Sequence, residues 1–422
     1  MDALTLSQPS PELLLPPEAA RRLATLVAGY TGGYALPQGF YVDDGVFEAD
    51  LERVFAGNWL FAGVTSDVPQ PGDSLTWTVG RESVLLVRDT DGDVRAYHNV
   101  CRHRGCRLLS DGPAAARVIV CPYHQWAYGT DGTLRGAPHM GSDINRDELS
   151  LRPVHLRELA GLLFVSFAAE PPPFDPAATV IEPQLRPHRL DGTRVATRLH
   201  YRVGANWKTL VENNRECYHC RANHPEFCLS NFDLGVAGDS RRNRGYEAAL
   251  AAQHRRWTDL GLSPTATSFP GGAFFRVARL PLRDGYVTES LSGRLVAPLL
   301  GDLPSAEVGS LRVITLPNAW IHANADYAMT TRLTPISPGV TDVDITFLVR
   351  HDAVESQDYD LDELTAVWVA TSEQDWDLCE RNYAGVRSRG YLPGPLSSVT
   401  EGSVRTFHDW YLTALTGVAG SA

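Results

Sequence analysis

Two thiols and two imidazoles stand in a pair of short clusters, Cys101-Arg102-His103 and Cys121-Pro122-Tyr123-His124. A zinc site usually pairs like with like, as Cys-x2-Cys with His-x3–5-His. Here each cluster offers one of each kind, Cys-x-His and Cys-x-x-His. A [2Fe–2S] centre of mixed ligation needs that set: one iron takes two thiolates, the other two neutral imidazoles, which raises its potential. Gly105, Gly112 and Pro122 suit tight loops folded over such a cluster, with backbone N–H groups free to bond its sulfurs. The competing readings are a structural zinc knuckle or two unrelated core pairs, and the mixed spacing argues against both.

A second set of candidate ligands begins near Asn206. On a helix from there, Trp207, Leu210, Val211, Asn214 and Tyr218 share one side, and Glu212, Glu216 and His219 the other. Glu212 and Glu216, four apart, repel on a bare helix, which requires a nearby cation or a shared proton. His219 and His224 diverge on a straight helix. Pro225 resolves this, because it pushes His224 out of the α region and lets it turn back towards a shared metal. Cys217, Cys220, His224 and Cys228 share a helical face and make a zinc knuckle a rival. An unbroken helix wraps a tetrahedral ion poorly, and the cysteines read instead as buried thiols packed like small apolar groups.

The third ligand comes from the stretch 360–382. Its apolar stripe of Leu364, Thr365, Trp368, Ser372, Trp376 and Cys379 carries a single acid, Asp375. An ionised carboxylate on a buried face is costly without a cation, although bonds from backbone or Trp N–H groups would also relieve it. Two imidazoles and one carboxylate on ferrous iron leave positions open for dioxygen.

The 422 residues that must hold these sets suffice for two or three domains, and 43% hydrophobic content supports a sizeable core. A formal charge of −12 and the absence of a Lys/Arg-rich run exclude nucleic acid as a partner. No stretch of about twenty apolar residues is present to span a membrane. The N-terminal stretch lacks the basic and apolar regions of a signal peptide, and seven cysteines, an odd number, fit a reducing compartment, so a cytoplasmic protein is expected.

The expected fold class is α+β. Residues 1–35 read as an arm around a helical stretch from Pro17 to Tyr30. Residues 36–170 begin with a helix, capped by Asp43 or Asp44, through Phe47, Leu51, Val54 and Phe55. Short strands between Trp59 and Phe167, separated by Asp-Gly turns, then form a small all-β domain holding both cluster loops. The Pro-rich run at 170–174 is a linker. Residues 171–422 read as a mixed α/β catalytic domain whose antiparallel, helix-grip-like sheet includes strands near 310–334 and 342–350.

With Cys-Arg-His-Arg-Gly at 101–105, Cys-Pro-Tyr-His-Gln-Trp at 121–126, Glu-Asn-Asn-Arg-Glu-Cys-Tyr-His-Cys at 212–220, His224, and Glu373-Gln374-Asp375, the chain from about Leu36 to Leu415 resembles the large oxygenase subunit of the Rieske non-haem iron oxygenases. The resemblance implies that Cys101, His103, Cys121 and His124 hold the [2Fe–2S] cluster. It likewise implies that His219, His224 and Asp375 hold the mononuclear iron. Glu216 takes the place of a bridging carboxylate that touches an iron-ligating histidine and a cluster histidine. The family often has Asp there, so Glu loosens the coupling by one methylene. A head-to-tail homotrimer is implied too, with electrons crossing between neighbours. Electron-transfer Rieske proteins of quinol-oxidising complexes share Cys-x-His-x-Gly-Cys, and Cys106 matches their extra thiol. Their partner thiol, however, is replaced here by Tyr123, and they have no use for a second metal triad.

The stretches 36–63, 282–301 and 373–395, and the ending Phe407-His408-Asp409-Trp410-Tyr411, resemble the subgroup acting on quaternary ammonium compounds. The implied reaction is hydroxylation or N-demethylation of glycine betaine, proline betaine or a choline-like compound with dioxygen. Electrons come from NAD(P)H through a separate flavin/ferredoxin reductase, since this chain has no nucleotide fingerprint and no plant-type ferredoxin spacing. Phe274, Phe275, Trp320 and Tyr327 are expected to offer aromatic faces to the ammonium group. The alternative is hydroxylation or demethylation of an aromatic or natural-product substrate by the same centres.

Overall fold

The computed structural model describes residues 17–141, 144–232 and 245–417. Residues 1–16 of the expected arm lie outside them, and its described part, 17–35, contains the helix Pro17–Ala28, two residues shorter than expected. Asp43, not Asp44, caps the helix Asp44–Ala49, its Oδ1 accepting from Gly45 N at 2.8 Å and Val46 N at 3.2 Å. Of the expected stripe, Phe47, Val54 and Phe55 are buried and Leu51 is half-buried. Beyond Ala49 the helix widens into a π-helical turn, Asp50–Phe55, which carries Asp50 into the core.

Three small antiparallel sheets follow, made from β1 (Leu60–Val64), β2 (Asp73–Val79), β3 (Glu82–Arg88), β4 (Val94–His98), β5 (Gly112–Ala115), β6 (Val118–Val120), β7 (Ala127–Gly129), β8 (Leu134–Gly136), β9 (His155–Leu159) and β10 (Leu162–Ser166). Their orders are β1-β10-β9, β4-β3-β2-β5 and β6-β7-β8. One cluster loop joins β4 to β5, and the other joins β6 to β7. Both rest on a small core of their own that includes Leu85, Tyr97, Ile119, Trp126 and Tyr128. The turn between β7 and β8 needs a glycine. Gly132 has φ +80°, and a Cβ there would lie 2.5 Å from the Tyr97 ring.

The second part is a seven-stranded antiparallel sheet of β11 (Thr193–Val203), β12 (Thr267–Ser268), β13 (Phe275–Leu280), β14 (Ser310–Thr315), β15 (Ala319–Ala323), β16 (Tyr327–Ser337) and β17 (Val340–Arg350). Its order is β11-β17-β16-β15-β14-β13-β12. The helix Leu361–Val386 is started by Asp360, whose Oδ1 accepts from Glu363 N at 3.0 Å. It buries Leu364, Trp368, Ser372, Trp376, Cys379 and Tyr383, a stripe at helical spacing. The result is an α+β chain with small β-sheets first and a large antiparallel sheet second. No helix among the described residues is long and apolar enough to cross a membrane.

Two devices hold the parts in register. Asn318 extends β1 sideways: its Oδ1 accepts from Phe61 N and its Nδ2 donates to Phe61 O, both at 3.0 Å. Trp77 Nε1 donates to Thr334 Oγ1 at 3.0 Å, and Arg332 lies 4.8 Å over the Trp77 ring. Beneath them an ion pair, Asp50 with Lys208, is fully buried. Asp50 also accepts from Tyr411 OH at 2.7 Å and Trp207 Nε1 at 3.0 Å, so the lead-in, the Trp207–Asn214 helix and the Gly402–Thr416 helix meet on one carboxylate.

Such a pair is expensive to break one side at a time, because the orphaned charge stays buried. Lys208→Met is expected to lower stability by about 3–5 kcal/mol in urea unfolding, and adding Asp50→Leu to restore much of the loss. A single variant within about 1 kcal/mol of wild type would show that the pair is incidental.

Candidate metal centres

The two cluster loops repeat one backbone design. In each, the cysteine N–H donates to the carbonyl five residues on, Cys101 to Cys106 at 2.8 Å and Cys121 to Trp126 at 2.7 Å. In each, the cysteine carbonyl accepts from the N–H four residues on, Gly105 at 3.0 Å and Gln125 at 3.1 Å. Gly105 and Gln125 both take positive φ, 78° and 59°. Equal loops aim their side chains at one place. The His103 and His124 rings are 4.7 Å apart, and the Cys101 and Cys121 thiols perturb each other's ionisation.

The chemistry of this donor set fits a mixed-ligand [2Fe–2S] cluster. His103 stacks on Trp126 at 4.9 Å, and its Nδ1 is buried with no hydrogen-bond partner. Burial opposes a charge on Cys121, yet the N–H groups of Tyr123 and His124 override it and hold the thiol below its usual value. Tyr128 escaped the sequence reading. Its hydroxyl accepts from Arg102 N at 3.0 Å, which leaves its proton for Cys101 Sγ at 3.3 Å. Hydrogen bonds to cluster sulfurs are one of the means by which a protein sets the potential.

At the second centre the backbone departs from expectation. The helix that Asn206 caps ends at Asn214, a turn covers Arg215 to His219, and a short helix, Cys220–Asn223, follows. His224, before Pro225, has φ −121° and ψ 69°, outside the α region as the proline requires. The break separates the two carboxylates that would have repelled each other. Glu212 accepts from Tyr41 OH at 2.7 Å and pairs with His408 Nε2 at 2.8 Å, whereas Glu216 turns to His219. The same turn corrects the reading of the cysteines as free thiols. Cys217 and Cys220, 4.9 Å apart at Cα, form a disulfide across it, which also removes them from any zinc knuckle, although Cys220 lies close to both histidines.

His219 Nε2 lies 3.2 Å, and His224 Nε2 2.9 Å, from Asp375 Oδ1. The outer nitrogens are pinned: His219 Nδ1 lies 2.5 Å from Glu216 Oε1, and His224 Nδ1 2.9 Å from Gln374 Oε1. Gln374 Nε2 donates to Glu226 at 2.9 Å, which fixes its carbonyl towards the imidazole and so puts the proton on His224 Nδ1. His224 Nε2 and Asp375 Oδ1 are both buried and in no hydrogen bond, so their lone pairs face one another. Burial resists a charge on His219, but the carboxylates of Asp375 and Glu216 prevail and raise it to about 9. Asp375 is held below its ordinary value by the two imidazoles, against burial. Two imidazoles, each oriented from behind by its outer nitrogen, and a carboxylate form a donor set that fits a divalent metal, with Asn213 Nδ2 3.4 Å from His219 Nε2.

The triad forms part of the wall of a cavity of about 350 Å³, with Thr371 and Trp368 one and two turns up the same helix from Asp375 and with Phe227 nearby. The four aromatic residues expected in that wall are elsewhere, which corrects the sequence reading. Phe274 packs on Phe174, 5.9 Å away. Strand alternation turns Phe275 to the face opposite Arg276. Trp320 and Tyr327 share the cavity side of the sheet by register but do not line the cavity. Tyr327 sits behind it, accepting from Trp368 Nε1 at 2.8 Å and donating to Glu289 O at 2.6 Å. The wall aromatics are Trp368, Phe227, Phe232 and Tyr246. A cleft of similar size, about 390 Å³, lies beside Trp77 and Arg332, but ion pairs line it and no ligand set among the described residues is near.

Residues 58–156 match the family of the Rieske [2Fe-2S] domain, and residues 190–417 that of the ring hydroxylating alpha subunit (catalytic domain). The chain is 38% identical, over 94% of its length and 92% of the relative's, to the glycine betaine monooxygenase oxygenase subunit of Pseudomonas aeruginosa. It is 36% identical to the carnitine monooxygenase oxygenase subunit of Escherichia coli, over 53% of this chain and 59% of that one. Among solved structures, the quaternary ammonium Rieske monooxygenase CntA in complex with L-carnitine shares the fold, with a TM-score of 0.67 and 22% identity over 92% of this chain and 96% of that one.

Replacing Asp375 by Ala separates the two centres. The variant is expected to keep the visible absorption of the cluster and to lose turnover; activity near the wild-type level would reject this triad.

Proposed function

This chain belongs to the Rieske non-haem iron oxygenases, as their large oxygenase subunit, and on that premise we propose that it hydroxylates an N-methyl group of a small quaternary ammonium compound such as glycine betaine, proline betaine or a choline-like molecule. The observation that carries the reading is the oriented triad of His219, His224 and Asp375 opening onto an aromatic-walled cavity. When bound, the cluster supplies single electrons and the mononuclear iron supplies oxygen activation at a substrate C–H bond.

The protein's own groups do the positioning. Trp368 and Phe227, 6.1 Å apart, offer ring faces to a methylammonium. Tyr327 holds the Trp368 indole by its N–H, so that face is set before substrate arrives. Arg312 already lies 5.4 Å over the Phe227 ring, which leaves the opposite face for a ligand. Glu216 orients His219 and serves as the bridging carboxylate between centres.

One atom of dioxygen enters the methyl C–H bond and the other leaves as water, with electrons drawn from NAD(P)H through a separate reductase. The resulting carbinolamine collapses to formaldehyde and the demethylated amine. We assign residues 36–170 to electron entry and 171–422 to substrate oxidation, and we propose a head-to-tail homotrimer. Exposed tyrosines at the lip of each centre favour that assembly: Tyr123 is 60% exposed beside the cluster ligands, and Tyr218 57% exposed beside His219.

The test is turnover with a surrogate reductase against glycine betaine, proline betaine, choline and a set of arenes. Formaldehyde released in step with oxygen uptake from a quaternary ammonium compound is expected. A hydroxylated arene without formaldehyde would transfer the protein to the aromatic branch of the family.

A further inference from the structure

Among the described residues, the cavity carries cations that its acids do not balance. In β13 and β14, Arg276 lies opposite Ile314 and Ala278 opposite Arg312. Alternation puts these four side chains on the face of the sheet that walls the cavity. Arg215, the residue that ends the Trp207–Asn214 helix, lines the same space.

Arg312 has its partners. Its Nη2 reaches Asn231 Oδ1 at 2.5 Å and Glu289 Oε1 at 3.2 Å. Arg215 and Arg276 do not have comparable ones. Arg215 is 4% exposed, its Nη2 donates to Asn214 Oδ1 at 2.7 Å, and its Nε and Nη1 are buried without any hydrogen bond. No carboxylate among the described residues pairs with Arg276, and the charged or titratable groups that act on it are Arg312, Tyr246 and Arg215. Burial, and then the nearby Arg276 charge, lower Arg215 to about 9. A buried charge without a counter-charge is costly, and here the buried Arg215 and the partly buried Arg276 face one cavity with none among the described residues.

A guanidinium in a desolvated wall is suited to a carboxylate, which it can hold through two parallel hydrogen bonds. The reading of the cavity as a quaternary ammonium site, on which this inference rests, puts the positive end of the substrate at the aromatic wall. We propose that Arg276, with Arg215 as the second cation, forms an anion subsite for the substrate's carboxylate, so that the enzyme selects quaternary ammonium acids over alcohols such as choline. A betaine completes the charge balance of the cavity. Choline, with no negative group, meets two unpaired guanidinium ions.

Three probes of similar size separate the two ends of the ligand: glycine betaine with both charges, 3,3-dimethylbutanoate with the carboxylate and an uncharged tert-butyl group, and choline with the cation alone. Their binding to anaerobic holoenzyme is measured by calorimetry, with the visible spectrum of the cluster reporting that each variant is folded and loaded. Wild type is expected to bind glycine betaine about tenfold or more tightly than choline. Arg276→Gln is expected to weaken glycine betaine and 3,3-dimethylbutanoate by about tenfold or more and to leave choline no weaker, while Arg276→Lys recovers part of the loss. Carboxylate binding that ignores Arg276, or a loss shared equally by all three probes, would overturn the subsite while the quaternary ammonium reading stood. If 3,3-dimethylbutanoate alone bound, and did so through Arg276, the subsite would stand and the ammonium reading would fall.

Discussion

Three lone pairs directed at one point form the constraint on which the rest of this structure depends. His219 Nε2, His224 Nε2 and Asp375 Oδ1 converge within hydrogen-bonding range, and the outer nitrogens are committed to Glu216 and Gln374, so the inner atoms are left facing one another around a carboxylate. Positive charge, brought by a metal ion or by a further proton on an imidazole, relieves that arrangement at low cost. The protein must therefore supply rigidity from outside the triad. Glu216 and Gln374 provide it directly, and Glu226 provides it once removed by fixing Gln374.

That rigidity is inherited from the fold. The Trp207–Asn214 helix is capped by Asn206 and tied by Lys208 to the buried Asp50, while the opposing ligand stands on the long helix started by Asp360. The break at Arg215 is equally necessary. It lets Glu216 leave the helix for His219 and leaves Glu212 to Tyr41 and His408, so one change of backbone direction satisfies both carboxylates. The small β-sheets are joined to the same framework by Asn318 and Trp77, which sets where the cluster loops stand relative to the catalytic sheet.

Much of the site was legible from residue order because its signals are local. Mixed Cys/His spacing within each loop singles out the four residues that the structure brings together, Pro225 explains how His224 escapes the helix, and a single acid on an apolar stripe singles out Asp375, which meets both histidines. Features that depend on pairing across the chain were hidden. Whether Phe275 or Arg276 faces the cavity is decided by the register of β13 against β14. Trp320 and Tyr327 have the right face but the wrong place, since the long helix puts Trp368 at the wall and Tyr327 behind it. The Cys217–Cys220 disulfide was missed because a continuous helix was assumed where a turn exists. Arg215 and Arg276 carry no motif, and only the three-dimensional cavity brings them together.

The account is tested most directly by the metal content of protein purified and handled without oxygen. It predicts about three irons per chain, a pair accompanied by acid-labile sulfide and one without. Zinc in place of that third iron, or a chain that holds the sulfide-linked pair and takes up no further ferrous ion, would contradict the oxygen-activating triad at its centre.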